Sequence, residues 1–206
     1  MIAIIDYGLG NIRSVSKAIE SIGAAVQVTN RGEDLEKAEG IILPGVGAFQ
    51  KGMQNLRDLN LDSVIVREIE KGKPFLGICL GLQLLFTQSF EDGQHPGLDI
   101  LKGSVKRFSN GQKVPHMGWN QVLIKEKIIS GERNPLLSNL SNGSFYYFVH
   151  SYFVEPENQS QIAATTEYGQ EFVSCVIQDN VMGVQFHPEK SFKSGMKILK
   201  NFKELC

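Results

Sequence analysis

The chain has 206 residues, 42% hydrophobic and 21% charged, with a formal net charge of −1. Those values fit one soluble globular domain spanning 1–206 and give no basis for nucleic acid or an anionic membrane as partner, since both call for a strongly basic face. A domain of this length buries roughly 70% of its unfolded surface and needs no disulfide or metal to fold.

The opening MIAIIDYGLG becomes acidic too soon for a signal peptide. Ile2 to Ile5 is a short apolar run, followed by a glycine turn and a helical stretch from about Asn11 to Ile22. Val26 to Thr29 reads as a second strand, and Gly40 to Leu43, closed by Pro44, as a third. A helical stretch from Asp62 to Lys71 leads to a fourth strand, Pro74 to Ile78, with another helix directly after it. This alternation predicts a parallel sheet with helices on both faces. The second half is richer in strands: Ile100 to Phe108, Gln121 to Ile124, Phe145 to Phe153, Gln161 to Thr165, Phe172 to Gln178 and Met182 to Phe186. Asp179-Asn180 reads as a tight hairpin turn, and Ser191 to Leu205 as a closing helix. One domain with a mixed sheet is expected.

No apolar run approaches the roughly 18 residues of a membrane span. The cysteines, Cys79, Cys175 and Cys206, are odd in number and far apart, which argues against a disulfide framework and a zinc cluster. A reducing cytoplasm is the expected location. One cysteine in a special setting is then a candidate nucleophile.

Gly77-Ile78-Cys79-Leu80-Gly81 supplies that setting, because it stands between a strand and a helix. Gly-x-Cys-x-Gly there is the thiol form of the nucleophile elbow. Its sharp turn strains the central residue and tolerates no bulky neighbours. It lifts the sulfur to the carboxyl end of the sheet, at a helix N-terminus whose dipole favours thiolate, and frees the Leu80 N–H for an oxyanion. The commoner fate of a free cysteine is core packing, and that is the expectation for Cys175 within its apolar strand. Cys206, at the last position, is expected to be inert.

A thiol needs a base. Phe186-His187-Pro188-Glu189 follows a late strand. His187 is placed on the rim where the elbow emerges, and Glu189 can curl back to hold the imidazole, giving a Cys-His-Glu triad. Pro188 stiffens the turn. His150, also at a strand end, is the rival base, whereas His95 and His116 fall in loop-like stretches. Pro44-Gly45-Val46-Gly47 is a strand followed by a Gly-x-Gly loop, where close backbone approach and a peptide flip are easy.

Three blocks, LPGVGAF, GICLGLQLLF and GVQFHPEKS, stand in the order of class I glutamine amidotransferases, which the chain resembles from end to end. DYGLGNIRSV, VPHMGWN and YYFVHSY narrow the likeness to the glutaminase subunits of imidazole glycerol phosphate synthases. The resemblance implies a flavodoxin-like α/β fold with a central, mostly parallel mixed sheet flanked by helices, and Cys79, His187 and Glu189 as the triad. It implies an oxyanion site at the amides of Val46 or Gly47 and Leu80, and glutamine contacts from Gly45, Gln83, Glu91, Ser151 and Tyr152. Glu91 suits the substrate's ammonium, though its position also suits a surface helix cap. The resemblance further implies a (β/α)8-barrel cyclase as heterodimer partner, met at Asn11, Trp119, Tyr147 and Lys190. No metal or organic cofactor is called for. The alternatives are a paralogous subunit serving a surface-sugar amidination enzyme, a non-catalytic binding module, and a stand-alone thiol hydrolase.

Overall fold

The computed structural model describes residues 1–108, 111–125 and 135–206. Its first half alternates β1 (Ile2–Ile5), α1 (Ile12–Ser21), β2 (Val26–Thr29), α2 (Gly32–Lys37), β3 (Gly40–Gly45), α3 (Phe49–Asp58), α4 (Leu61–Glu70), β4 (Phe75–Cys79) and α5 (Leu80–Gln83). Strands dominate the remainder: β5 (Phe86–Ser89), β6 (His95–Pro96), β7 (Leu101–Arg107), β8 (His116–Ile124), β9 (Ser144–His150), β10 (Tyr152–Pro156), β11 (Ile162–Glu167), β12 (Glu171–Gln178) and β13 (Val181–Val184). The chain closes with α6 (Phe192–Leu205).

Across the sheet the order is β2-β1-β3-β4-β13-β12-β10-β7-β5-β6. The first five run parallel. β1, β3 and β4 are buried along their whole length, as strands covered on both faces must be. Side chains alternate between two cores with the period of two that a strand imposes. Ile2, Ile4, Ile42, Leu76 and Ile78 pack with Val15 and Ile19 of α1 and Leu199 and Phe202 of α6. Ala3, Ile5, Ile41, Leu43 and Phe75 pack with Met53 and Leu56 of α3 and Ile65 of α4.

Two antiparallel features complete the framework. Asp179, at φ 52, and Asn180 turn β12 into β13. The Asn180 side chain then donates to the carbonyls of Ile69 and Lys73, tying the hairpin to the end of α4 and the loop before β4. β13 pairs with β4 with Val184 opposite Ile78, so the residues after β13 emerge beside Cys79. The β8–β9 ribbon sets His116 opposite His150 and Trp119 opposite Tyr147, and β11 joins it to the main sheet.

The sequence reading needs several corrections. The helix after Cys79 is a single turn, because Leu84, Leu85 and Phe86 are all fully buried and the chain returns at once to strand β5. α2 and α3 were not anticipated. Phe145 to Phe153 is two strands broken at Ser151. β8 begins at His116, so Trp119 lies on a strand and not in a loop: the VPHMGWN segment pairs residue by residue with β9. His116 and His95 likewise each open a strand, β8 and β6, instead of sitting in loops. Among the described residues, no helix is long and apolar enough to cross a membrane.

Candidate active site

Cys79 ends β4 at φ 55 and ψ −108, a left-handed conformation that costs energy for any residue with a side chain. The neighbouring glycines make this turn sterically feasible. A Cβ on Gly81 would lie 1.8 Å from the Leu43 carbonyl oxygen, and one on Gly77 would lie 2.7 Å from the Gly81 carbonyl. The elbow is thus wedged against β3, and Gly45 is the register partner of Cys79. That pairing brings the loop of Val46 and Gly47 alongside the sulfur. Gly47, at φ +113, needs the freedom of glycine.

The thiol is 5% exposed. The Gln185 side-chain N–H points at Sγ from 3.6 Å, and the Val149 carbonyl lies 3.8 Å from it. Gln185 is held in turn by Gln83, whose Nε2 donates to Gln185 Oε1 at 3.1 Å and to the Tyr152 carbonyl at 2.9 Å. Sequence reasoning missed Gln185. The available signal was a glutamine inside an apolar strand run, two residues before His187 and therefore on the same face.

His187 and Glu189 are buried together, with His187 Nδ1 2.9 Å from Glu189 Oε1. His187 Nε2 has no hydrogen-bond partner among the described protein groups. Burial opposes charge on the imidazole, yet Cys79 and Glu189 outweigh it and raise the pKa of His187 above the ordinary histidine value. The structure therefore brings Cys79, His187 and Glu189 together in that order. His150 is differently engaged. Its Nδ1 donates to the Tyr152 carbonyl at 2.8 Å and its Nε2 faces His116 Nδ1 at 3.1 Å. Burial depresses its pKa to about 3, so it stays neutral and both its nitrogens are occupied. Cys175 is fully buried, and burial pushes its pKa up to about 12.

A cavity of about 320 Å³ opens beside Cys79, the size of a small-molecule site. Val46, Gly47, Leu80 and Gln83 line it near the sulfur, and Glu91, Ser151 and Tyr152 line it as well. Gly45 does not; it lies buried behind the loop. Glu91 Oε2 accepts the Phe49 N–H at 2.6 Å, so it caps α3, a helix to which it does not belong. Desolvation raises its pKa, and the Phe49 N–H offsets part of the rise. A carboxylate in that setting suits an ammonium group. Among the described residues, no group of three or more His, Cys, Asp or Glu is placed to hold a metal.

The sequence model of the class-I glutamine amidotransferase family matches residues 3–205. The chain belongs to this family. A relative from Aquifex aeolicus, an imidazole glycerol phosphate synthase subunit HisH, is 55% identical over 201 residues, covering 97% of this chain and 94% of its own length. Another protein of that name, from Syntrophotalea carbinolica, is 49% identical over the full length of both chains. Among solved structures, a glutamine amidotransferase crystal structure superposes with TM-score 0.76 at 19% identity, covering 100% of this chain and 98% of the other. The PurLQS structure from Thermotoga maritima gives 0.78 at 20%, covering 98% and 97%. At those identities the two structures speak for the amidotransferase fold.

Three of the four residues expected at a partner interface of this amidotransferase stand together. Trp119 and Tyr147 rings lie 6.1 Å apart, and Lys190 Nζ lies 5.6 Å from the Tyr147 ring centre. Phe192, not anticipated from sequence, stacks on Trp119 at 5.0 Å and 7° and is 77% exposed. This face is bonded to the triad: the His187 N–H donates to the Tyr147 carbonyl at 2.9 Å, and Ser191 Oγ bridges the Tyr147 N–H and the His187 carbonyl. Asn11 stands at the start of α1, a helix in contact with the Pro188–Lys190 turn, its Oδ1 accepting the Ser14 hydroxyl.

Proposed function

We propose that the chain is the glutaminase subunit of an imidazole glycerol phosphate synthase, passing ammonia to a (β/α)8-barrel cyclase docked on the Trp119 face. The observation that carries the reading is the cavity, which has a thiol with its own base at one part of its wall and the half-buried carboxylate of Glu91 at another. A free glutamine offers a matching pair of groups, a side-chain amide and an ammonium.

Glutamine binds with its ammonium at Glu91 and its backbone along Ser151 and Tyr152. The Cys79 thiolate attacks the amide carbon, and the developing oxyanion is met by the N–H groups of Leu80 and of Val46 or Gly47. His187 passes a proton to the leaving nitrogen, and ammonia departs. Water, activated by the same imidazole, cleaves the thioester and releases glutamate. Glu189 orients the imidazole and stabilises its charge. Ammonia released into neutral water becomes ammonium and loses its nucleophilicity, so sheltered transfer to a bound partner follows. The full-length relatives bearing the synthase-subunit name support that partner, as do the exposed aromatic rings one hydrogen bond from His187.

We further propose that in the resting chain the Val46 N–H is turned away from the substrate and that occupancy of the partner turns it inward. One missing oxyanion donor costs roughly a hundred- to a thousandfold in turnover, which suppresses idle hydrolysis without blocking glutamine binding. The test is glutaminase turnover of the isolated chain, of the complex, and of the complex with the cyclase's nucleotide. A stepwise rise is expected. Equal turnover in all three would remove the switch, and no turnover in any would remove the glutaminase reading.

A further inference from the structure

Tyr7, two residues beyond β1, is 1% exposed, and its hydroxyl has no hydrogen-bond partner among the described protein groups. A buried phenol O–H without a partner is costly, and natural folds rarely leave one in place. Its location gives the orphan a meaning. A Cβ built on Gly45 would lie 2.2 Å from the Tyr7 hydroxyl oxygen and 2.9 Å from Leu80 Cβ. The hydroxyl is therefore packed against the Gly45 backbone, at the root of the Val46–Gly47 loop and behind the elbow. It also explains why residue 45 must be glycine, since any side chain would fill the hydroxyl's place. Burial raises the Tyr7 pKa, and proximity to Cys79 raises it further, so the group stays a neutral donor throughout the working range. The Tyr7 carbonyl is fixed from the far side by the Asn55 side-chain N–H at 2.8 Å.

A peptide that turns its N–H toward the cavity must turn its carbonyl the opposite way, toward the protein. In the Gly45–Val46 peptide, the Val46 N–H and the Gly45 carbonyl are the two ends of one rigid plane. A carbonyl swung into the interior needs a donor there. We infer that the Tyr7 hydroxyl is that donor, a positioning group that accepts no role in the resting chain and captures the Gly45 carbonyl when the Val46 N–H faces the substrate. Tyr7 touches neither substrate nor the reacting atoms, and it sets the population of the loop conformation that does. The inference rests on the glutaminase reading above.

The test is Tyr7→Phe, which removes one oxygen and leaves the ring packing intact. It is measured in the complex with its synthase partner, beside Cys79→Ala. A net hydrogen bond of ordinary strength predicts a fall of roughly three- to tenfold in glutamine kcat. The KM for glutamine should stay within about twofold, as should synthesis driven by added ammonium salts. The thermal midpoint of the isolated variant should be unchanged or higher, because an unpaired buried hydroxyl has gone. In a Val46→Pro background, where residue 46 has no N–H to present, Tyr7→Phe should alter kcat by less than about twofold. An unchanged kcat in the plain Tyr7→Phe complex overturns the inference, and so does a kcat loss that comes with a lower thermal midpoint or persists undiminished with Val46→Pro. If Cys79→Ala itself retains glutamine turnover, the failure belongs to the glutaminase reading.

Discussion

At the residue scale, the three groups at the catalytic corner carry unequal loads. In the proposed mechanism the sulfur forms and breaks the covalent bond, the imidazole moves the proton, and the carboxylate acts only through the imidazole. Cys79→Ala and His187→Asn should each lower glutamine turnover of the complex by on the order of 10⁴-fold or more, and the double variant should be no worse than either alone, because the pair acts as one unit. Glu189→Gln should cost roughly one to two orders of magnitude less than either. Ammonium-driven synthesis by the same complexes should survive in all of them, separating lost ammonia production from lost assembly. The electrostatics add a check that activity does not provide. Cys79 and Glu189 both lift the His187 pKa against the opposing effect of burial. Removing either charge must therefore lower it. Imidazole titration by NMR should show His187 titrating at lower pH in Cys79→Ala and in Glu189→Gln than in the wild type. An unmoved or rising value in both would mean that the three groups are not electrostatically joined.

At the element scale, close backbone approach shapes the site, and the starts of α5 and α6 are both strained. The turn from β4 to α5 is held against β3 with no room at Gly81, where an added Cβ would meet the Leu43 carbonyl oxygen at 1.8 Å. That oxygen belongs to a buried strand and cannot move aside. Gly81→Ala should thus cost roughly 1–3 kcal/mol or more, read as a lowered denaturant midpoint, and should abolish glutamine turnover even where the chain still folds. The start of α6 shows strain of another kind. Phe192 has φ 43, unusual for a bulky residue, and holds its ring 77% exposed against Trp119. An exposed pair of stacked rings next to Tyr147 and Lys190 suits the anchor of an interface. Phe192→Ser should weaken the complex by roughly tenfold or more while leaving the isolated chain's thermal midpoint within a degree or two, as calorimetry of partner binding would reveal. Unaltered affinity would make the stack a bystander. These elements differ in how well the sequence announced them. β1, β3 and β4 were readable because strands buried on both faces are unbroken apolar runs. α3 was not, since Gly52 and a polar run dilute its pattern; its buried stripe is Phe49, Met53 and Leu56, with Gly52 close to the methyls of Leu84. The meeting of Cys79, His187 and Glu189 was readable because Cys79 sits in a local turn and His187 and Glu189 are two residues apart. Gln185 on the sulfur and Tyr7 behind Gly45 join segments far apart in the chain, and no local pattern marks such contacts.

At the scale of the whole molecule, a buried chain of hydrogen bonds links the outer ribbon to the cavity wall. A carbonyl can only accept, so His150 Nδ1 carries the proton donated to Tyr152. In a neutral ring Nε2 is then an acceptor, and His116 Nδ1 donates to it at 3.1 Å. His116 Nε2 in turn accepts from the Asn120 side chain at 3.2 Å. Every link in this chain has a fixed direction, and it holds only while both imidazoles are neutral. Burial depresses the pKa of His116 to about 4 and of His150 to about 3, against 6.5 for a free imidazole. Both folded values are lowered, so the unfolded chain takes up protons first as the pH falls. The histidine contribution to stability is complete above about 6.5 and is lost as the pH drops from there toward about 4 and then 3. Glu68 belongs to a lower window. Burial there opposes its charge, but Lys71 and Lys73 prevail and hold its pKa at about 2, so its contribution is lost only below 4.5. His187 has the opposite sign, its raised value placing any loss on the alkaline side. In the interval from about 6.5 down to about 4.5 the two buried histidines set the sign, offset in part by Glu91, whose raised pKa lets the folded chain take up its proton first, and by His187 near 6.5. Unfolding there should take up roughly one to two protons per molecule, read from the slope of denaturation free energy against pH. His116→Phe, which keeps an aromatic ring between Phe148 and Tyr168, should flatten that slope by about one proton. In the folded complex both rings stay neutral across that interval, so the Tyr152 carbonyl, which also receives the Gln83 side chain in the cavity wall, should keep its place and this chain should impose no loss of glutamine turnover there. Stability that stays level from pH 6.5 to 4.5 would show that the histidines can be charged in place, and the directed chain would have to be abandoned.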